Sequence, residues 1–209
     1  ILILRPPLCP LLPNQPRFRS LGVKLLWSTH LTYLATTVRG AFFYLYLILD
    51  IYSRKIVGWE VYPEESAEHA AAVFKRAHLR EAAGTADLVL HADNGSPMKG
   101  ATMLATLQRL GVVPSFSRPS VSNDNPYSEA IFATCKGCPA FPEKPFASPT
   151  EARTWVAGFV AWYNKTHRHS ALKFVTPDQR HRGEDRNLLA RRDALYQAAR
   201  AENPQHWSG

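Results

Sequence analysis

Asp93 lies in the run His91-Ala92-Asp93-Asn94-Gly95-Ser96. Glu129 closes the run Asn123-Asp124-Asn125-Pro126-Tyr127-Ser128-Glu129, with 35 residues between the two carboxylates. Each stands beside backbone-bending residues at the edge of a secondary-structure element, where a site for hard cations and phosphate oxygens would be built. Phosphodiester chemistry needs little covalent help from a protein. It needs metal ions, about 4 Å apart, that activate the nucleophile and steady the leaving oxygen. Magnesium demands oxygen ligands, and carboxylates supply both oxygen and counter-charge. Three carboxylates from separate elements would clamp two such ions; Asp93 and Glu129 supply two.

The elements around them read as a mixed α/β sheet. A strand-like segment runs through Leu31, Tyr33 and Leu34, and Arg39-Gly40 turns the chain. Phe42 to Ile51 is nearly all apolar, as expected of a strand buried on both faces. After a turn at Asp50 to Arg54, Lys55 to Tyr62 gives a third strand, and the short links imply an antiparallel meander. Ser66 and Glu68 open a helix to about Ala82, with Ala70, Val73, Phe74 and Ala77 inward. Asp87 to His91 is a strand leading into Asp93. Met98 to Leu110 is a helix closed by Gly111, and Val112 to Phe116 is a fifth strand. Asn125 to Lys136 is helical, with Pro126 in the first turn where a missing N–H does no harm. A further helix covers about Thr150 to Asn164. Asp93 thus follows a strand and Glu129 lies one turn into a helix, and ligand sites in open α/β sheets gather at such carboxyl ends. By alternation His91 is read as a packed histidine on the face opposite Asp93. The aromatics Phe42, Phe43, Tyr44 and Tyr46 are read as core, as are Trp59, Trp155 and Trp162.

The net charge of +8 and pI near 9.6 favour a polyanionic partner, nucleic acid first. The clearest stretch is 164–200, with nine Lys or Arg against four Asp or Glu. There Lys165, Arg168, Lys173, Arg180 and Arg182 are candidates to neutralise phosphates. The rival reading of Arg186 to Arg200 is a solvated helical face of alternating charge. Ser117, Arg118, Asn123 and Asn125, just before Glu129, read as a DNA-proximal loop. Three cysteines form no disulfide framework, which points to a reducing cytoplasm. Cys135-Lys136-Gly137-Cys138 is half a zinc motif at most and reads as incidental. No apolar run is long enough to span a bilayer, so no membrane partner is expected. Prolines at 6, 7, 10, 13 and 16 break the apolar start into an arm or linker. The absence of an initial Met points to a fragment.

Taken in order, several blocks resemble the integrase catalytic core of bacterial insertion-sequence transposases. They are Trp27-Ser28-Thr29-His30-Leu31-Thr32-Tyr33, Leu49-Asp50-Ile51-Tyr52-Ser53-Arg54-Lys55, Leu90-His91-Ala92-Asp93-Asn94-Gly95 and Asn125-Pro126-Tyr127-Ser128-Glu129. Trp162-Tyr163-Asn164, His167-Arg168-His169 and Thr176-Pro177 continue the series. The resemblance implies a ribonuclease-H-like five-stranded mixed sheet flanked by helices, with a C-terminal helical tail. It divides the chain into an arm (1–26), a catalytic core (27–165) and a basic extension (166–209). It implies DNA cutting and joining by an Asp-Asp-Glu triad with two Mg2+ (or Mn2+) ions, on element ends and target DNA, with assembly as an oligomer on DNA. Asp93 and Glu129 take the second and third places of that triad, and His30 stands where the first Asp belongs. A neutral imidazole brings one nitrogen, no negative charge and a preference for transition metals. The expectation is an impaired enzyme, the alternative being an inactive DNA-binding remnant. Asp50 is read as capping its turn rather than replacing the missing ligand.

Overall fold

The structure, a computed structural model, describes residues 22–23, 25–81, 88–117 and 126–206. Strands β1 (Leu26–Ala35), β2 (Phe42–Asp50) and β3 (Ile56–Tyr62) form the expected antiparallel meander. Helix α1 (Ala67–Glu81) follows, with the Ser66 hydroxyl capping it by accepting the His69 N–H at 3.1 Å. Its buried face holds Ala70, Val73, Phe74 and Ala77, the stripe that the sequence period gives. Strand β4 (Val89–Ala92) then pairs parallel to β1, and β5 (Val113–Phe116) pairs parallel to β4. The five-stranded order is β3-β2-β1-β4-β5.

The helix expected over Met98 to Leu110 is two pieces, α2 (Ser96–Lys99) and α3 (Ala101–Arg109). Gly100 between them is extended (φ −62°, ψ 145°), and a Cβ there would lie 2.4 Å from the Ala67 Cβ. The break therefore lets the chain cross close to the start of α1. Gly111 closes α3 at φ 68°, a left-handed position that glycine occupies without strain.

Helices α4 (Pro126–Lys136) and α5 (Pro149–Lys165) cover the other face of the sheet. Ser148 caps α5 by accepting the Glu151 N–H at 3.1 Å. A short helical turn (Ser170–Leu172) and α6 (Pro177–His181) lead to α7 (Asp185–Glu202), and a second short turn (Pro204–His206) follows within the C-terminal helical tail. Two cores result, one per sheet face: Trp27, Ile48, Phe74 and Leu90 under α1 to α3, and Leu34, Leu47, Ile131 and Phe159 under α4 and α5.

The aromatic start of β2 departs from expectation. Phe42 is exposed, and Phe43 and Tyr44 are half-buried, while burial is complete only from Leu45 onward. Phe42 and Tyr44 instead pack edge-on against exposed Tyr33 at the far end of β1. Trp59, Trp155 and Trp162 are likewise partly buried against the core rather than inside it. Among the described residues no helix is long and apolar enough to cross a membrane.

Candidate metal and nucleic-acid site

Strand β1 is central, and the β1–β4 register ends at Thr29 opposite Ala92. One step further brings His30 beside Asp93, where β4 gives way to a turn. The Asp93 Oδ1 accepts the Gly95 N–H at 3.0 Å, which folds the chain back beneath the carboxylate. A Cβ at Gly95 would lie 2.9 Å from that same oxygen, so a side chain there would push the Asp93 carboxylate aside. Glycine at 95 thus lets Asp93 keep this turn-bonded position.

Helix α4 crosses above this point. The His30 ring meets Phe132 edge-on at 6.2 Å between centroids. Phe132 is three residues after Glu129 and shares its side of the helix. Glu129 is exposed in the first turn of α4. Position 30 of β1 is thus next in register to the Asp93 turn and in contact with the flank of α4 that carries Glu129. His30 itself is 2% exposed. Burial, followed by the charge of His91, pushes its pKa down to about 3, so the imidazole is neutral near pH 7. Among the described residues no group of three or more His, Cys, Asp or Glu side chains is arranged to hold a metal ion.

His91 is buried, as expected, but on the same face as Asp93 and not the opposite one, because residues two apart on a strand point the same way. Its ring nitrogens face the hydroxyls of Ser115 and Ser117, each at 3.3 Å. Ser117 also receives the Asn94 side-chain amide on its carbonyl at 2.9 Å, so the loop after β5 is tied to the Asp93 turn. Arg118, Asn123 and Asn125 lie outside the described residues. Asp50 is fully buried and its Oδ1 accepts both the N–H and the O–H of Ser53 at 2.8 Å, the turn-capping role read from the sequence.

The basic candidates divide into two groups. Lys165, Arg168 and Lys173 are exposed. Arg180 is engaged within the fold: it pairs with buried Asp185 and lies over the Tyr52 ring at 4.1 Å. Arg182 pairs with Glu184 at 2.8 Å and with Asp178 at 3.9 Å. Cys135 is buried in the core under α4 and α5, and burial, then Cys138, pushes its thiol up to about 12. That is the environment of a packing residue rather than a nucleophile.

Three structural residues escaped the sequence reading. Asn164 accepts the Ile56 N–H at 2.9 Å and donates to the Ile56 carbonyl at 3.0 Å, clasping the start of β3. His181 joins Ser53 to Glu81. Arg54 turns the β2–β3 link with φ 62° and stacks on Tyr127 of α4 at 3.9 Å. Each partner lies far off in the chain, and only the composition of the Trp162-Tyr163-Asn164 block hinted at any of them.

Two family models, both described as integrase core domain, match residues 22–122 and 110–177. The chain is 28% identical over 161 residues to the transposase for insertion sequence element IS904 of Lactococcus lactis, covering 77% of this chain and 62% of that protein. It is 27% identical over 172 residues to transposase InsF for insertion sequence IS3A of Escherichia coli, covering 82% and 57%. The chain thus spans about three-fifths of the length of these curated relatives. Among solved structures it resembles the HTLV-2 integrase catalytic core domain in complex with magnesium, with TM-score 0.59, 14% identity and coverage of 78% of this chain and 99% of that one. A chain of the simian T-cell lymphotropic virus intasome gives TM-score 0.62 at 13% identity, covering 78% and 56%. These structural likenesses fix the fold as ribonuclease-H-like. The ordered blocks, the matching family models and the insertion-sequence relatives converge: this chain belongs to the integrase-core family of insertion-sequence transposases.

Proposed function

We propose that this chain is the catalytic core of a DNA transposase whose metal-dependent strand cleavage and transfer is impaired by His30. The observations that support the reading are the β1–β4 register, which ends one step before position 30 and Asp93, and the His30–Phe132 contact on the flank of α4 that bears Glu129. Asp93 and Glu129 are assigned as the surviving metal ligands. The donor set does not fit two magnesium ions. Its third member is a buried, neutral imidazole edged by a phenyl ring, which supplies neither the bridging oxygens nor the charge that magnesium requires.

Exposed Lys165, Arg168 and Lys173 are assigned to DNA phosphates, with Ser117, Arg118, Asn123 and Asn125 as the loop beside the metal ligands. Arg180 and Arg182 contribute to the basic field while braced by their acidic partners. The substrates would be element ends and target DNA, and the working form an oligomer on DNA. Residues 27–165 would form the catalytic unit and 166–209 the basic extension. The second reading, a DNA-binding remnant without activity, is favoured by the burial and neutrality of His30.

Strand cleavage and strand transfer by the parent and by His30→Asp, with Mg2+ or Mn2+, test the proposal. Cleavage by His30→Asp with Mg2+ at a rate about tenfold or more above the parent supports an impaired transposase. Residual parent activity with Mn2+ alone supports His30 as a weak third ligand. DNA binding with no cleavage by either protein leaves the remnant reading, and loss of DNA binding as well would refute both.

A further inference from the structure

We propose that a cavity under the first turns of α4, on the flank away from Glu129, is a phosphate-binding pocket, with Arg54 as its charged anchor and His169 as a second donor. The cavity is about 210 Å3 and is lined by Arg54, Tyr127, Ile131, Tyr163, His169 and Ala171 among others, with no carboxylate among its described lining residues. Four stretches of chain meet there: the β2–β3 turn, α4, α5 and the segment after α5.

Arg54 is held in place by its backbone. Its N–H donates to the Asp50 carbonyl at 2.8 Å, and its left-handed φ of 62° is a conformation that arginine rarely adopts. That turn aims the guanidinium inward, over the Tyr127 ring at 3.9 Å. Among the described residues its Nε and Nη1 are buried and have no hydrogen-bond acceptor. A ring face balances part of the charge but accepts no N–H in the guanidinium plane. Donors of this kind call for an anion with oxygen acceptors.

His169 completes the recognition. Its Nδ1 accepts the Ala171 N–H at 3.2 Å, so a neutral ring carries its proton on Nε2 and donates there. Burial, then the Arg54 charge, brings its pKa down to about 4, which keeps it in that donor form at neutral pH. Arg54 and His169 line the cavity from different elements, and donors so placed would match a tetrahedral oxyanion, whose acceptors point in more directions than those of a planar carboxylate. The positive end of α4 adds a favourable field, since Tyr127 lies in its first turn.

Position on α4 gives the pocket a consequence. Tyr127, Ala130 and Ile131 line it at helical spacing, whereas Glu129 and Phe132 lie on the other flank. A phosphate clamped by Arg54 would brace the turn that carries Glu129. This consequence rests on the proposed transposase reading; the pocket itself does not. Its chemistry admits two sources, a phosphodiester of DNA or free phosphate.

The test follows the ring signals of His169 by NMR in the full chain, titrated with inorganic phosphate and separately with a short DNA duplex. Arg54→Gly is the control, because glycine accepts a left-handed φ and the turn survives without the guanidinium. Saturable shifts in the parent, weakened about tenfold or more in Arg54→Gly, support the pocket. A response to both probes assigns the group to the DNA backbone as well as free phosphate, and a response to DNA alone assigns it to the backbone. A response to phosphate alone keeps the pocket even if strand cleavage is never found. No shift with either probe, or equal shifts in Arg54→Gly, overturns it.

Discussion

His181 Nε2 donates to Glu81 Oε2 at 3.0 Å, joining residues 100 positions apart. The other ring nitrogen lies 2.9 Å from the Ser53 hydroxyl, which bonds in turn to Asp50. Lys55 closes the group with a 3.0 Å contact to Glu81 Oε1. α6 is thereby fastened to the end of α1 and to the β2–β3 turn. Ser, His and a carboxylate in series resemble a nucleophile relay, but Ser53 is fully buried, so the arrangement is a tether.

Acid should loosen this tether in a defined window. Burial alone would raise the Glu81 pKa, but hydrogen bonds from His181 and Lys55 outweigh it and bring the carboxyl from 4.5 to about 2. A depressed folded-state value means stability fully present above the unfolded value of 4.5 and lost as pH falls through about 2. The size is on the order of 3 kcal/mol at roughly 1.4 kcal/mol per pH unit. Denaturant unfolding of the parent and Glu81→Gln across pH should show a constant gap above the unfolded value that narrows in acid. A gap that does not change with pH would sink this assignment.

Asn164→Ala should cost about 2–4 kcal/mol, because it leaves both the N–H and the carbonyl of Ile56 without their side-chain partners in a buried setting. Hydrogen exchange at the Ile56 amide is the direct check. Exchange there should accelerate well beyond any global loss of stability, and unchanged protection would contradict the clasp.

What was legible in the sequence is what local chemistry encodes. The Asp93 turn needs only its neighbours, and the α1 stripe repeats at helical spacing, so both were readable. The face of His91 was misread against the simple strand period, although the sequence carried the right answer. The break at Gly100 was hidden because its cause is Ala67, and the exposure of Phe42 was hidden because strand propensity says nothing of where flanking helices stop. Asn164, His181 and Arg54 were silent for the same reason: their partners lie in distant segments that only the fold brings together.

Gly100→Ala sets two effects against each other. The φ and ψ at Gly100 suit alanine, so restricting the unfolded chain would stabilise by up to about 1 kcal/mol. The new Cβ would lie 2.4 Å from that of Ala67, and relieving such a clash between helices costs about 1–3 kcal/mol. The clash should win, with a lower urea midpoint at unchanged slope. A midpoint equal to or above the parent's would mean that α1 and α2 separate easily.

His30→Asp should convert stability into a magnesium-dependent quantity. In chelator the variant puts a carboxylate where the parent has a buried neutral ring, next in register to Asp93, so desolvation and repulsion both weaken the fold. Divalent cation relieves both if Asp93 and Glu129 complete the site. At about a hundredfold excess over the dissociation constant, binding adds roughly 2.7 kcal/mol. For a chain of this size that raises the melting temperature by several degrees, about 2–4 °C per kcal/mol. The parent, lacking the third carboxylate, should show little response to Mg2+. Thermal melts of both proteins in chelator and in Mg2+ make the comparison without any DNA. A variant that is destabilised and stays so in Mg2+ would mean that position 30, Asp93 and Glu129 do not converge on a shared ion, whatever the ancestry of the chain.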